Sequence, residues 1–244
     1  MKQITTPADI KHLGTILSIW AHPDDESFLA AGIMATAVEQ GQAVICVTAT
    51  RGEAGNQNPT KWPSKDLAKI RTAELNKALT VLGVSHHFWL NYADGCCCDV
   101  TESQAVEQLV AIATRFKPDS ILTFGPDGWT GHEDHKTMFN WARALVKKLD
   151  KNIPIYSVTH TPEHYKKYFK PADEELNMFF NIDKPNLNSA RQCDIYYELP
   201  DSARQKKKAA LAASPSQTET LFKVFSQNFL DEAFAVECFE LQKP

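Results

Sequence analysis

Over the first 150 residues, short apolar runs rich in β-branched side chains alternate with longer stretches in which apolar residues recur at helical spacing. Ile16-Leu17-Ser18-Ile19-Trp20-Ala21 is such a run and predicts a strand; a helix follows from about Ser27 to Gln40, closed by Gly41. Ala43–Thr50 predicts a second strand. Beyond a loop holding Gly52 and Gly55, a helix is predicted from about Ser64 to Leu82 and ends at Gly83. His86–Leu90 reads as a third strand, Thr101–Phe116 as a helix with Thr101 at its N-cap, and Ser120–Phe124 as a fourth strand entering Gly125-Pro126-Asp127-Gly128. A further helix is expected from about Asp134 to Leu149. Strand and helix in strict alternation predict the α/β class: a Rossmann-like, mostly parallel sheet with helices on both faces.

From Pro154 to Leu199 the pattern weakens, with prolines at 162, 171 and 185, so this stretch is expected to be an insertion or lid. Ile195–Leu199 still reads as a strand, Asp201-Ser202 as the cap of a helix running through Lys206 to Ala213, and Ala233–Phe239 alternates like a strand. No internal repeat or long linker divides the chain, so residues 1–244 are expected to form one domain.

Composition narrows the functional classes. With 26 Lys+Arg against 30 Asp+Glu in 244 residues, the formal charge is −4, which offers no general basic field for nucleic acid. The one dense basic run, Arg204 with Lys206, Lys207 and Lys208, reads as a solvated helix face. The longest mostly apolar stretch, Phe28–Val38, is well short of the roughly 20 residues a membrane helix needs. Met1–Gly14 lacks the apolar segment of a secretory leader, which places the expected location in the cytoplasm. Six cysteines, three of them adjacent at Cys96, Cys97 and Cys98, form neither a disulfide framework nor a zinc-finger spacing. The numbers leave a homo-oligomer open.

In an open α/β sheet, ligands bind where strands end at their carboxyl side. The first strand delivers His22-Pro23-Asp24-Asp25-Glu26 there, in place of the glycines a dinucleotide would require, and no G-x-S-x-G nucleophile turn occurs anywhere. The fourth strand delivers Gly131-His132-Glu133-Asp134-His135. If the two strands are neighbours, these clusters meet. His22 and Asp25, three residues apart, could face one point from the start of a helix, with His132 or His135 completing a trio. Taken alone, Asp24 or Asp25 would read as a helix cap and any one histidine as structural. Occurring together at two strand ends, they point to a cation site at the C-terminal ends of the strands. Two histidines and a carboxylate also form the facial triad of iron(II) oxygenases, so the metal's chemistry stays open on this argument.

Ala21-His22-Pro23-Asp24-Asp25-Glu26 and His132-Glu133-Asp134-His135 resemble the two signatures of the PIG-L (LmbE-like) zinc-dependent N-deacetylases. Thr50–Gly55, Arg71–Gly83, Leu90–Gly95 and Lys208–Gln217 also resemble that family's later segments, so the likeness covers most of the chain. The resemblance implies a hydrolase that removes an N-acetyl or other N-acyl group from an amino sugar such as an N-acetylglucosamine glycoside. It implies one zinc ion held by His22, Asp25 and His135, with Asp24 as general base. His132 would stabilise the oxyanion and protonate the leaving amine, with Asp134 orienting it, while Arg51 and Asp94 would hold substrate hydroxyls. The chain departs from the family in two places: Ser214 stands where a histidine is usual, and Thr130 where some members carry a tyrosine. The first departure keeps a non-catalytic sugar-binding protein as an alternative. Trp62, Trp129 and Tyr92 are candidates for stacking on sugar rings, and Cys96–Cys98 are expected to be structural.

Overall fold

The structure is a computed structural model that describes residues 3–177 and 180–242. The apolar run of β1 (Ile16–Trp20) is buried at every position, because helices cover both faces of the sheet it centres. The predicted first helix is two, α1 (Asp25–Leu29) and α2 (Ala31–Glu39), broken at Ala30 with φ −138°. The break has a cause far off in sequence. The Glu237 carboxylate accepts the Gly32 and Ile33 N–H groups at 2.8 Å each, capping α2 from outside and ending α1 early. β2 (Val44–Thr50), α3 (Leu67–Leu82), β3 (His86–Tyr92), α4 (Glu102–Phe116), β4 (Ser120–Thr123) and α5 (Glu133–Leu149) follow close to the predicted bounds. Thr101 occupies the N-cap position of α4 but makes no side-chain cap bond.

The stretch expected to be an insertion begins instead with a buried strand, β5 (Ile155–Thr159). It continues through α6 (Pro162–His164), a π-helical turn at Tyr165–Phe169 and α7 (Lys170–Leu176) before β6 (Ile195–Glu198). Prolines conceal these elements in the sequence: Pro154 immediately precedes β5, and Pro162 and Pro171 sit at the first turns of α6 and α7, where a missing N–H is harmless. α8 (Asp201–Ala212) starts at Asp201, with Pro200 at the cap position in place of the expected Asp201-Ser202 cap. Then come α9 (Pro215–Val224), α10 (Gln227–Ala233) and β7 (Val236–Leu241), so the C-terminal strand starts three residues later than the alternation implied.

The seven strands form one sheet in the order β3-β2-β1-β4-β5-β7-β6. The first five are parallel, and β7 runs antiparallel to both β5 and β6. The order reverses between β1 and β4, which pair directly (Ile16↔Ser120, Ser18↔Leu122). Loops leaving these two strands diverge and open a crevice at their carboxyl ends, the usual ligand position of doubly wound sheets.

Candidate metal centre

The loop after β1 is drawn tight by its own carboxylates. Asp25 Oδ2 accepts the N–H groups of Ala21 (3.1 Å) and His22 (2.7 Å), and Glu26 Oε2 accepts that of Asp24 (3.2 Å). The turn forces Asp24 to φ +103°, a conformation that a residue with a Cβ adopts only where its surroundings hold it there. The holder is Arg71 on α3, buried and donating to the carbonyls of Pro23 and Gly52 (2.6 Å each) and to Asp24 Oδ2 (3.2 Å). Gly52, at φ +67°, leaves room for that guanidinium; a Cβ there would collide with it.

From β4, the loop Gly125–Gly131 delivers His132 as the N-cap of α5. Its Nδ1 accepts the Asp134 N–H at 3.1 Å, which puts the ring proton of neutral His132 on Nε2. His135, one turn into α5, donates from Nδ1 toward Gly128 O (3.1 Å), beside Thr130 Oγ1 (3.0 Å), so its Nε2 presents a lone pair. His22 is tied in the same fashion: its Nε2 lies 3.0 Å from Asp94 Oδ1 and 3.3 Å from Asp134 Oδ2, leaving Nδ1 to face the crevice.

Three donors converge there. His22 Nδ1 and His135 Nε2 are 3.1 Å apart, His22 Nδ1 and Asp25 Oδ2 3.7 Å, and His135 Nε2 and Asp25 Oδ1 3.5 Å. Ligands at about 2.0–2.2 Å from a tetrahedral ion are about 3.3–3.6 Å from one another; the distances here run from 3.1 to 3.7 Å, with His22 and His135 approaching different oxygens of Asp25. The ring nitrogens of His22, His132 and His135 also lie within 4.8 Å of one another, as do donors of His22, Asp94 and Asp134. His22 is the member shared by both groups.

Electrostatics makes the same point. Burial by itself disfavours the His22 imidazolium, yet hydrogen bonds to Asp134 and Asp94 and the nearby Asp25 charge override it and raise the pKa to about 10. His135 is driven well below its ordinary value by burial and by the charge of His22, so it stays a neutral donor. Burial, opposed by Arg71, pushes the Asp24 carboxyl up to about 7. Burial raises Glu26 to about 8. The pocket thus holds more carboxylates than its one guanidinium balances, and a proton on His22 stands where a metal cation would otherwise supply the positive charge.

The sequence-predicted residues do not all do what was expected of them. Asp134 meets His132 through its backbone N–H; its carboxylate instead accepts from Gly95 N (2.8 Å) and Cys97 N (3.0 Å) and faces His22. Asp94 spends one oxygen on His22 and the other on the Ala54 N–H (2.8 Å), so it supports His22, where contact with a sugar hydroxyl was expected. Arg51 lies flat on the Trp89 ring (3.7 Å) and bonds Thr72 and Asn91. Tyr92 packs on Trp141, and its hydroxyl is bonded to Gln108. Trp62 stacks with Lys61 in the β2–α3 loop, and Trp129 alone of the three candidate aromatics lines the cavity beside the metal centre. Cys97 is buried and fixes Asp134 through its N–H, in keeping with a structural role. The Ser214 hydroxyl is buried and has no hydrogen-bond partner among the described residues. Arg71 and Glu74 have no role assigned from the sequence; Glu74 accepts the Ser216 N–H (2.9 Å) and hydroxyl (2.5 Å), tying α9 to α3, and the advance signals were their three-residue spacing and the likeness of Arg71–Gly83 to a family segment.

Comparison with known proteins agrees with this geometry. The family model "PIG-L: GlcNAc-PI de-N-acetylase" matches residues 17–146. The chain belongs to the PIG-L family. Among curated PIG-L relatives, the 1D-myo-inositol 2-acetamido-2-deoxy-alpha-D-glucopyranoside deacetylase of Corynebacterium diphtheriae is 32% identical over 169 residues, 60% of this chain and 57% of that protein. The protein of the same name from Saccharomonospora viridis is 28% identical over 236 residues, 83% of this chain and 84% of its own length. In fold, the chain resembles the N,N'-diacetylchitobiose deacetylase of Pyrococcus horikoshii, with TM-score 0.61, 21% identity, and coverage of 93% of this chain and 83% of that one. Neither the oxygenase nor the binding-only alternative finds support among these relatives. No helix among the described residues is long and apolar enough to cross a membrane.

Proposed function

We propose that this protein is a zinc-dependent hydrolase that removes the acyl group from the nitrogen of an N-acylated amino sugar. The observation that carries the reading is the approach of His22 Nδ1, His135 Nε2 and the Asp25 carboxylate to within 3.1–3.7 Å of one another, with the outer nitrogen of each imidazole engaged by other partners. The names of the relatives supply the amino sugar and the acetyl group. Two nitrogens and a carboxylate in tetrahedral spacing suit zinc, which when bound supplies Lewis acidity toward an amide carbonyl and lowers the pKa of a water from 15.7 to about 7.

The residues around it have defined tasks. Asp24, held by Arg71 and with a pKa near neutrality, takes the proton of the attacking water and, because burial and the His22 charge keep His132 neutral, returns it to the leaving nitrogen in place of the His132 that the resemblance implied. Neutral His132, its Nδ1 occupied by the α5 N-terminus, offers Nε2–H to the oxygen that becomes negative. Asp94 and Asp134 fix His22, and Arg51 with Asn91 presents polar groups where β2 and β3 end. The direct test incubates zinc-loaded protein with N-acetylglucosamine glycosides and assays free amine. Release that is lost with chelator and restored by zinc is expected; zinc bound with no amine released from any glycoside would overturn the reading.

A further inference from the structure

Beside the candidate metal centre lies a cavity of about 210 Å³ lined in part by Asp24, Asp25, His132 and His135. Beyond them, no charged side chain lines it among the described residues. Its walls are aromatic and aliphatic, among them Phe28, Phe169, Phe180, Leu221, Leu230 and Phe234. Of its polar groups, Gln57 bonds Gln217 at 3.3 Å, Thr130 Oγ1 lies 3.0 Å from His135 Nδ1 and the Tyr168 hydroxyl bonds Glu232, while Asn181 is exposed. Several wall residues form a second apolar cluster, apart from the main core. A dry cavity of 150 Å³ lined by such residues accommodates benzene, so this one has room for much more than a methyl group. A sugar entering it would leave hydroxyls without partners, at a cost an apolar chain does not incur.

Strand order says which end of the substrate faces it. Arg51 and Asn91, whose polar groups suit a sugar, follow β2 and sit on β3; the metal ligands follow β1 and β4; Trp129 and α7, which wall the cavity, follow β4 and β5. With the sugar on the β2–β3 side and the carbonyl carbon over the metal centre, the acyl substituent points into the cavity. We infer that the preferred substrate carries an N-acyl group longer and more apolar than acetyl, seated in this cavity. The inference rests on the deacylase reading above and goes beyond it.

The test compares methyl glucosaminides bearing N-acetyl, N-butyryl, N-hexanoyl and N-octanoyl groups, plus an N-acetyl glucosaminide with an octyl aglycone. The expected kcat/KM rises up to about fourfold per added methylene, the factor for burying one, and by at least about tenfold from acetyl to hexanoyl. Ala172→Phe, which fills the cavity from α7, is expected to cut the hexanoyl-to-acetyl ratio about tenfold. A flat or falling series, with amine still released, overturns the acyl pocket and leaves the deacylase standing, as does a gain that follows the octyl aglycone instead of the acyl chain. Release from no member removes the deacylase reading itself. Calorimetry on the zinc-loaded protein then decides the pocket without turnover: octanoate should bind at least about tenfold more tightly than acetate, and equal binding overturns the proposal.

Discussion

Two groups of charges are buried in this molecule, and they are built on opposite principles. Under α2 and α8, Lys207 and Glu237 are almost fully enclosed, 2.8 Å apart, and the carboxylate also receives the N–H groups of Gly32 and Ile33. Charge is balanced, every oxygen has a partner, and no lone pair is left pointing into space. At the β1–β4 crevice, Asp24, Asp25, Asp94 and Asp134 crowd around His22, Arg71 ion-pairs with Asp24, and His22 Nδ1 and His135 Nε2 share one proton at 3.1 Å where the donor atoms converge. Burial of charge is therefore not itself the mark of a site. An uncompensated excess of one sign around converging donors is, because the fold tolerates it only when a ligand completes the balance.

The sharpest way to break the contrast is to remove a converging donor. His135→Ala is expected to abolish stoichiometric zinc, measured by metal analysis of the dialysed protein, and amine release with it. Asp24→Asn should spare the metal and still lower kcat by about 10²–10⁴, the usual worth of a general base; a variant at full rate would reassign that role. At the balanced pair, Lys207→Met leaves Glu237 buried with its two N–H partners but no counter-charge, so a loss of about 3–5 kcal/mol in denaturant unfolding is expected with zinc stoichiometry unchanged. Asp94→Asn discriminates support of His22 from contact with substrate: the structure predicts zinc affinity weakened about 10–100-fold, whereas a pure substrate contact would raise KM at unchanged zinc affinity.

The smallest effect concerns a half-buried histidine beside a positive charge. His87, bonded to Thr48 Oγ1 at 3.1 Å, has its pKa depressed to about 4 by burial and by the Arg51 charge. The unfolded chain binds this proton more readily, at about 6.5, so the contribution of His87 is intact above pH 6.5 and is lost as the pH falls toward 4. His87→Gln should flatten the acid limb of the stability profile by roughly 1–3 kcal/mol between those values. An unchanged limb would show that His87 does not set it.

Legibility in the sequence followed the range of the interaction. β1, β2, α3 and α5 were readable because each is encoded by its own periodicity and a local stop such as Gly83. The candidate metal-binding residues were readable because strand ends concentrate them in two short segments. β5, α6, α7, α9 and α10 were missed or blurred, with prolines beginning three of the helices where propensity alone would place a break. The split of α1 from α2 was invisible, since the capping carboxylate of Glu237 lies 205 residues from Gly32. The working partners of Asp94 and Asp134 were equally hidden: a carboxylate's sequence position says nothing about which lone pairs remain free.

By itself, then, the sequence determined the α/β class, the PIG-L signatures and the residues able to ligate a cation, since these depend on side-chain chemistry and on periodicities of two and 3.6 residues. Only the tertiary structure decided that β1 and β4 are neighbours, that the outer nitrogens of His22 and His135 are spoken for, and that an apolar cavity opens beside them. Those are consequences of packing distant segments together, and both tautomers and cavities exist only once the partners that define them have met.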